Sequence, residues 1–156
     1  MKPGIVAAML LGVGLVGPVG RLEAQGDREE ILKSLRHLFD GMRGRDTALM
    51  RAQFSPNAKL AGVDGRDGQS RHTLDDPSAW ITAVGKGTGP AWDERIFEPV
   101  VQVDGNIAHV WTYYEFWLGP KLSHCGYDSI FFVRLKEGWK IGQVADSRRT
   151  DCKPRG

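Results

Sequence analysis

The chain has 156 residues, 41% of them hydrophobic and 26% charged. That is about one domain of ordinary globular composition, which argues against disorder. The formal net charge is +2, and Lys and Arg are scattered apart from Arg148-Arg149, so nothing gives nucleic acid an electrostatic footprint.

At the N-terminus Lys2 precedes an apolar and Gly run, Ile5 to Val16, which Gly17 and Pro18 break. Leu22-Glu23-Ala24 then resembles a small-residue cleavage site. This is the layout of a secretory signal peptide, and the run is shorter than the ~20 residues of a spanning helix. The expectation is an exported chain, periplasmic or secreted, cut near Ala24. Residues 25–156 then form a single domain with no stable membrane span. Lys2 and Arg21 against Glu23 give the leader +1, so about +1 of the total +2 stays on the domain.

Asp27 can cap a helix, with Glu30 three residues on as its capping-box partner. Ile31, Leu32, Leu35, Leu38, Phe39 and Met42 follow at helical spacing as one apolar stripe. Asp46 can cap a second, short helix through Met50 and Arg51. Phe54 to Val63 reads as a turn and a short strand, and the polar stretch Arg66 to Leu74 as a loop. Asp76-Pro77 opens a third helix, Pro being preorganised for its first position. Gly85 to Pro90 is a connector; Lys86 is followed by Gly87, so the phosphate-loop pattern is absent.

From Ala91 the period changes to two. Turn signals at Asp104-Gly105, Gly119-Pro120 and Glu137-Gly138 separate long runs rich in Val, Ile, Phe, Tyr and Trp. They predict an antiparallel meander of four strands. Helices first and strands later make an α+β domain, with helices covering one face of the sheet.

Counting outward from two-residue turns sets the register. Leu118 opposite Lys121 places Glu115 against His124 and Trp111 against Asp128. Lys136 opposite Trp139 places Asp128 against Ser147. One face then carries His109, Trp111, Tyr113, Glu115, His124, Asp128, Ile130 and Phe132; the other carries Tyr114, Phe116, Cys125, Val144 and Asp146. The same count puts Cys125 opposite Thr150 with Cys152 diagonal to it. In an oxidising compartment a Cys125–Cys152 disulfide is expected. Two free thiols, or a nucleophilic Cys125 beside His124, are the other readings.

The segments Tyr114-Glu115-Phe116, Ser123-His124-Cys125-Gly126, Gly138-Trp139-Lys140-Ile141 and Asp146-Ser147-Arg148-Arg149 resemble the nuclear transport factor 2-like superfamily. Within it they look like a bacterial branch of lumazine-binding or uncharacterised members. The resemblance spans about Asp27 to Cys152. It implies a cystatin-like cone, a curved antiparallel sheet wrapped around N-terminal helices with a pocket at its open end. It also hints at an aromatic ligand, but a shared cone does not transfer a reaction.

Three readings of function follow. The first is a binding domain for a small, partly aromatic or apolar ligand, lined by Trp111, Tyr113 and His109, with Arg149 at the mouth. The second is a cofactor-independent isomerase, dehydratase or cyclase, in which His124 with Glu115 or Asp128 moves the proton. A carboxylate opposite a histidine raises its pKa and fixes its ring. The same pair equally serves as a plain cross-strand contact. The third is a homodimeric interaction module. His37, His72, His109 and His124 show no ligand spacing, so neither a metal nor a cofactor is expected.

Overall fold

The computed structural model describes residues 18–66 and 69–155, with side chains over 24–62 and 72–155. Helix α1 spans Pro18–Gly44 and α2 Thr47–Arg51; strands β1 (Phe54–Arg66) and β2 (Gln69–Asp75) follow. After α3 (Pro77–Lys86) come β3 (Trp92–Asp104), β4 (Ile107–Leu118), β5 (Lys121–Leu135) and β6 (Gly138–Asp146). The six strands form one curved sheet in the order β2-β1-β6-β5-β4-β3. The expected α+β fold is present, with the four-strand meander as its larger part.

The N-terminal leader expectation falls on residues 1–24, and residues 1–17 lie outside the described ones. From Pro18 the chain is already helical and runs through Asp27 without a break, so Asp27 is not a cap. Instead Asp27 pairs with Arg134, and Trp139 Nε1 donates to its Oδ1 at 3.2 Å. Glu30 accepts the backbone N–H of Trp139 at 3.1 Å. Both acids thus tie α1 to the start of β6.

The apolar stripe behaves as its spacing predicts. Ile31, Leu35, Leu38, Phe39 and Met42 are buried against Val110, Ile130, Phe132, Trp139 and Ile141 of the sheet. Burial of side chains this size, at about 1.5–3 kcal/mol each, seats α1 in the concave face. Asp46 and Asp76 cap α2 and α3 as expected, accepting the N–H groups of Leu49 at 2.9 Å and Ser78 at 2.7 Å.

The sheet is larger than the sequence suggests, and it is mixed. Much of the stretch Arg66 to Leu74, expected to be a loop, is β2, which pairs antiparallel with β1. Strand β1 runs parallel to β6. Polar residues made β2 read as loop; an edge strand has one neighbour and tolerates them.

Irregularities along the meander overturn the counted register. Leu118 does pair with Lys121, but Ser123 is an extra residue in β5, so Phe116, not Glu115, faces His124. Glu115 faces Cys125, Trp111 faces Ser129, and Thr112 faces Asp128. At the last turn Leu135 pairs with Gly138, and Gly142 is an extra residue in β6, so together Asp128 faces Asp146 rather than Ser147. A single inserted residue exchanges the two faces of a strand beyond it.

Candidate functional site

The concave face of the sheet and α1 enclose a cavity of about 420 Å³, within the range of small-molecule sites. Leu38 and Phe39 of α1, Trp80 of α3, Phe54, Leu60, Trp92, Phe116, Leu118, Ile130 and Val144 form its apolar walls. Its polar lining is Glu94, His124, Asp128, Asp146 and Arg148. These polar groups come from three strands and the segment after β6. Glu94 sits opposite Phe116 on β4, His124 opposite that same Phe116 on β5, and Asp128 opposite Asp146.

The acids of this set are held unequally. Asp146 Oδ2 receives Arg148 Nε at 2.5 Å and lies 3.1 Å from the Tyr114 hydroxyl, which is also 2.9 Å from the carbonyl oxygen of Ser147. Asp128, by contrast, is only 2% exposed, and its Oδ2 has no hydrogen-bond donor among the described residues. Glu94 and Asp128 are within hydrogen-bond reach of each other.

Burial and the negative charge of Asp146 push the Glu94 carboxyl up to about 8. Burial, then the charge of Glu94 and that of Asp146, carries the Asp128 carboxyl well above the ordinary range. Two adjacent carboxyls in an apolar site cannot both ionise cheaply, so the pair holds a proton near neutrality. Burial and Arg148 push His124 down, which keeps its ring neutral. That ring stacks on Phe116 at 4.7 Å between centroids, and its Nδ1 lies 3.2 Å from Ser123 Oγ. Burial and the surrounding carboxylates raise the Tyr114 hydroxyl, which stays protonated.

Of the residues singled out from the sequence, His124 and Asp128 line the cavity. Glu115 does not meet His124. It is fully buried on the opposite face of the sheet, where its Oε1 accepts the Arg155 backbone N–H at 2.6 Å and its Oε2 the Trp117 Nε1 at 3.2 Å. Trp111, Tyr113 and His109 also lie on that outer face rather than along the cavity. Trp111 stacks on Tyr127 at 5.2 Å, and His109 Nε2 is 2.9 Å from Ser129 Oγ. Arg149 stands over the rings of Tyr113 and Tyr127, at 5.8 and 5.9 Å, so the arginine at the cavity is its neighbour Arg148.

Cys125 and Cys152 are joined in a disulfide, with 27 residues of sequence separation. Cys125 faces Arg149, not Thr150, and the two exchange backbone hydrogen bonds of 3.0 Å each way. The bridge therefore straps the tail across the outer face, where the Arg155 guanidinium lies 3.9 Å above the Tyr113 ring. Among the described residues no three His, Cys, Asp or Glu side chains are arranged to hold a metal ion, the carboxyl cluster included.

Glu94 is the group that sequence reasoning missed. Its signal was a carboxylate at an inward position of an alternating strand, between Trp92 and Ile96, both of which pack against the core.

Residues 26–144 match a family described as "Putative lumazine-binding". The fold is similar to a solved nuclear transport factor 2-like protein with a cystatin-like fold from Novosphingobium aromaticivorans. Identity is 15%, over 89% of this chain and 94% of that one, with a TM-score of 0.69. A protein from Kribbella flavida is 21% identical over 81% of this chain and 93% of its own, TM-score 0.66. A Streptomyces avermitilis protein of the same superfamily, described as a "putative dehydratase", is 14% identical over 81% and 99%, TM-score 0.64. Such identities speak for the fold alone. No curated protein matches the chain.

Proposed function

Because the chain belongs to the family described as "Putative lumazine-binding", a nuclear transport factor 2-like group, we propose that it is a domain that holds a small, partly aromatic or apolar ligand in its cone. The observation that carries this is the cavity itself, walled by Trp80, Trp92, Phe54 and Phe116 with a few polar groups converging at one end. That combination fixes a flat molecule by its body and orients it by its head. The family description, which names lumazine, supports an aromatic occupant. Mass spectrometry of the small molecule that co-purifies with residues 25–156 tests the reading. A bound aromatic compound, lost when Val144→Trp fills the cavity, is the expected result. An empty protein that also fails to bind any aromatic probe overturns it.

A second reading, acid/base catalysis, is favoured by the Glu94–Asp128 pair. A carboxyl that keeps its proton at neutral pH beside one that lacks it can give and take a proton in the same site. Asp128 and Glu94 take the donor and acceptor roles here, with neutral His124 as a further hydrogen-bonding group; Glu115 is too far removed to share them. Hydrogen–deuterium exchange next to the carbonyl of small cyclic ketones, followed by NMR in heavy water, tests this reading. Exchange at the same rate in Glu94→Gln and Asp128→Asn as in the parent protein would sink the idea.

The disulfide supports an exported protein, since such bonds persist in oxidising compartments. Among the described residues no helix is long and apolar enough to cross a membrane. A mature N-terminus near Gln25, read from the mass of protein recovered outside the cytoplasm, is the expected sign. Trp111 (47% exposed), Val100 and Phe131 on the outer face support the homodimer reading, and a monomer at all concentrations in sedimentation would remove it.

A further inference from the structure

The polar end of the cavity lacks a donor that buried acceptors ordinarily have. Asp128 is buried, and its Oδ2 is unpartnered among the described residues. Several of the donors around it are engaged elsewhere. Thr112, its cross-strand neighbour, gives its hydroxyl proton to the carbonyl of Phe97 at 2.9 Å. The Tyr114 hydroxyl is engaged with Asp146 and Ser147, and Arg148 turns its Nε to Asp146. What remains in front of Asp128 is Glu94, a second carboxyl, and the one proton the pair holds leaves Oδ2 unpartnered.

Three carboxyls, Glu94, Asp128 and Asp146, therefore face a single guanidinium, Arg148, at the end of an aromatic-walled cavity. A carboxylate ligand would meet repulsion there, and a ligand offering only carbonyl oxygens could take the one shared proton but would leave Asp128 Oδ2 without a donor. A group rich in N–H donors and carrying positive charge satisfies both Asp128 Oδ2 and the excess of negative charge. Trp80, Trp92 and Phe116 line the same cavity, and aromatic faces also attract cations.

We propose that Glu94 and Asp128 form a head-group subsite for a cationic nitrogen, an ammonium or amidinium borne on a flat apolar body. This deepens the ligand-binding reading above and rests on it. The exchange balances simply: the ammonium brings its charge and N–H donors, and the proton shared by the two carboxyls leaves to water. No bond to carbon is made or broken.

Isothermal titration with three probes of one shape tests the proposal at neutral pH: 1-naphthylmethylammonium, 1-naphthylmethanol and 1-naphthylacetate. The ammonium should bind about tenfold more tightly than the alcohol, the scale of one charge-assisted hydrogen bond, and the acetate most weakly. The heat of ammonium binding should also change with the ionisation heat of the buffer, because a proton is released. Asp128→Asn and, independently, Glu94→Gln should remove the advantage of the ammonium while leaving the alcohol bound. Alcohol or acetate binding as tightly as the ammonium overturns the cationic subsite and leaves the cavity reading standing. Failure of all three probes to bind overturns both.

Discussion

The carboxyl groups of Glu94 and Asp128 meet inside the cone although their strands are separated by β4, with Tyr114 beside them. The curvature of the sheet makes this possible: Glu94 stands across from Phe116 and Asp128 across from Thr112, positions well apart along β4. Sheet shape, not sequence proximity, builds the acidic pair. Its consequences are electrostatic, and they are measurable.

The first consequence is a fall in stability with rising pH. The Glu94 carboxyl, ordinarily near 4.5, is pushed up to about 8 by burial and by the charge of Asp146, with Arg148 opposing and Asp93 adding a little. Between those values the folded chain keeps a proton that the unfolded chain gives up, so stability declines as pH rises through the window. His124 acts in the opposite sense. Held below its ordinary 6.5, it costs stability as pH falls below that value. Urea unfolding from about pH 7 to about 8.5, where His124 is neutral in both states, isolates the carboxyl pair. Parent protein should weaken over that range and Glu94→Gln should weaken less, its remaining slope belonging to Asp128; equal slopes would mean that Glu94 is an ordinary acid.

A second prediction concerns a close approach of two backbone segments, at Gly126 and Ser147. A Cβ on Gly126 would lie 1.8 Å from the carbonyl oxygen of Ser147 and 2.7 Å from its carbon. Both are backbone atoms, so no rotamer change relieves the collision. Gly126→Ala should cost at least about 2 kcal/mol. It should also disturb the Tyr114 hydroxyl, which reaches the same Ser147 oxygen. Thermal unfolding checks the first effect. A melting temperature equal to that of the parent would show that the strap can move aside.

Much of the fold was legible because it is written in periods. The stripe from Ile31 to Met42 and the alternation after Ala91 each point to one buried face, and both reappear in the structure. The site was less legible because it depends on single residues that carry no mark of their own. Ser123 is an ordinary strand residue, yet its extra place in β5 turns Glu115 away from His124. Gly138 read as the second residue of a turn. With φ at 96° it instead opens β6 after Lys136-Glu137, and either role suits a glycine. Those displacements, with the extra Gly142 in β6, turn Asp128 into the cone and set it opposite Asp146. The disulfide survived them because one residue of slippage still leaves Cys152 within reach of Cys125, at 6.0 Å between Cα atoms.

Loss of that bridge gives a third prediction. It closes a span of 27 residues, for which the chain-entropy relation gives roughly 3.5 kcal/mol. The paired Cys125→Ser, Cys152→Ser variant should lose stability on this scale in urea unfolding. The tail should also become labile to trypsin after Arg148 and Arg149, since their exposed side chains would then sit on an untethered strand end. Retention of full stability without the bridge would assign the tail to its other contacts, Arg155 with Glu115 and Tyr113.

The last prediction separates two adjacent arginines. Arg148 lines the cavity, and its charge opposes the rise of Glu94 and Asp128. Arg149 stands on the outer face over Tyr113 and Tyr127. Arg148→Met should therefore move the Glu94 transition to higher pH, which carries the alkaline loss of stability with it. With less competing positive charge in the cone, 1-naphthylmethylammonium should bind several-fold more tightly. The shift will be tempered by solvent, since the Arg148 side chain is two-thirds exposed. Arg149→Met should leave both quantities unchanged and cost only its contact with the two rings, about 0.5–1 kcal/mol at an exposed site. If the two substitutions exchange these effects, Arg149 rather than Arg148 reaches the cavity in solution, and the segment after β6 is turned by one residue.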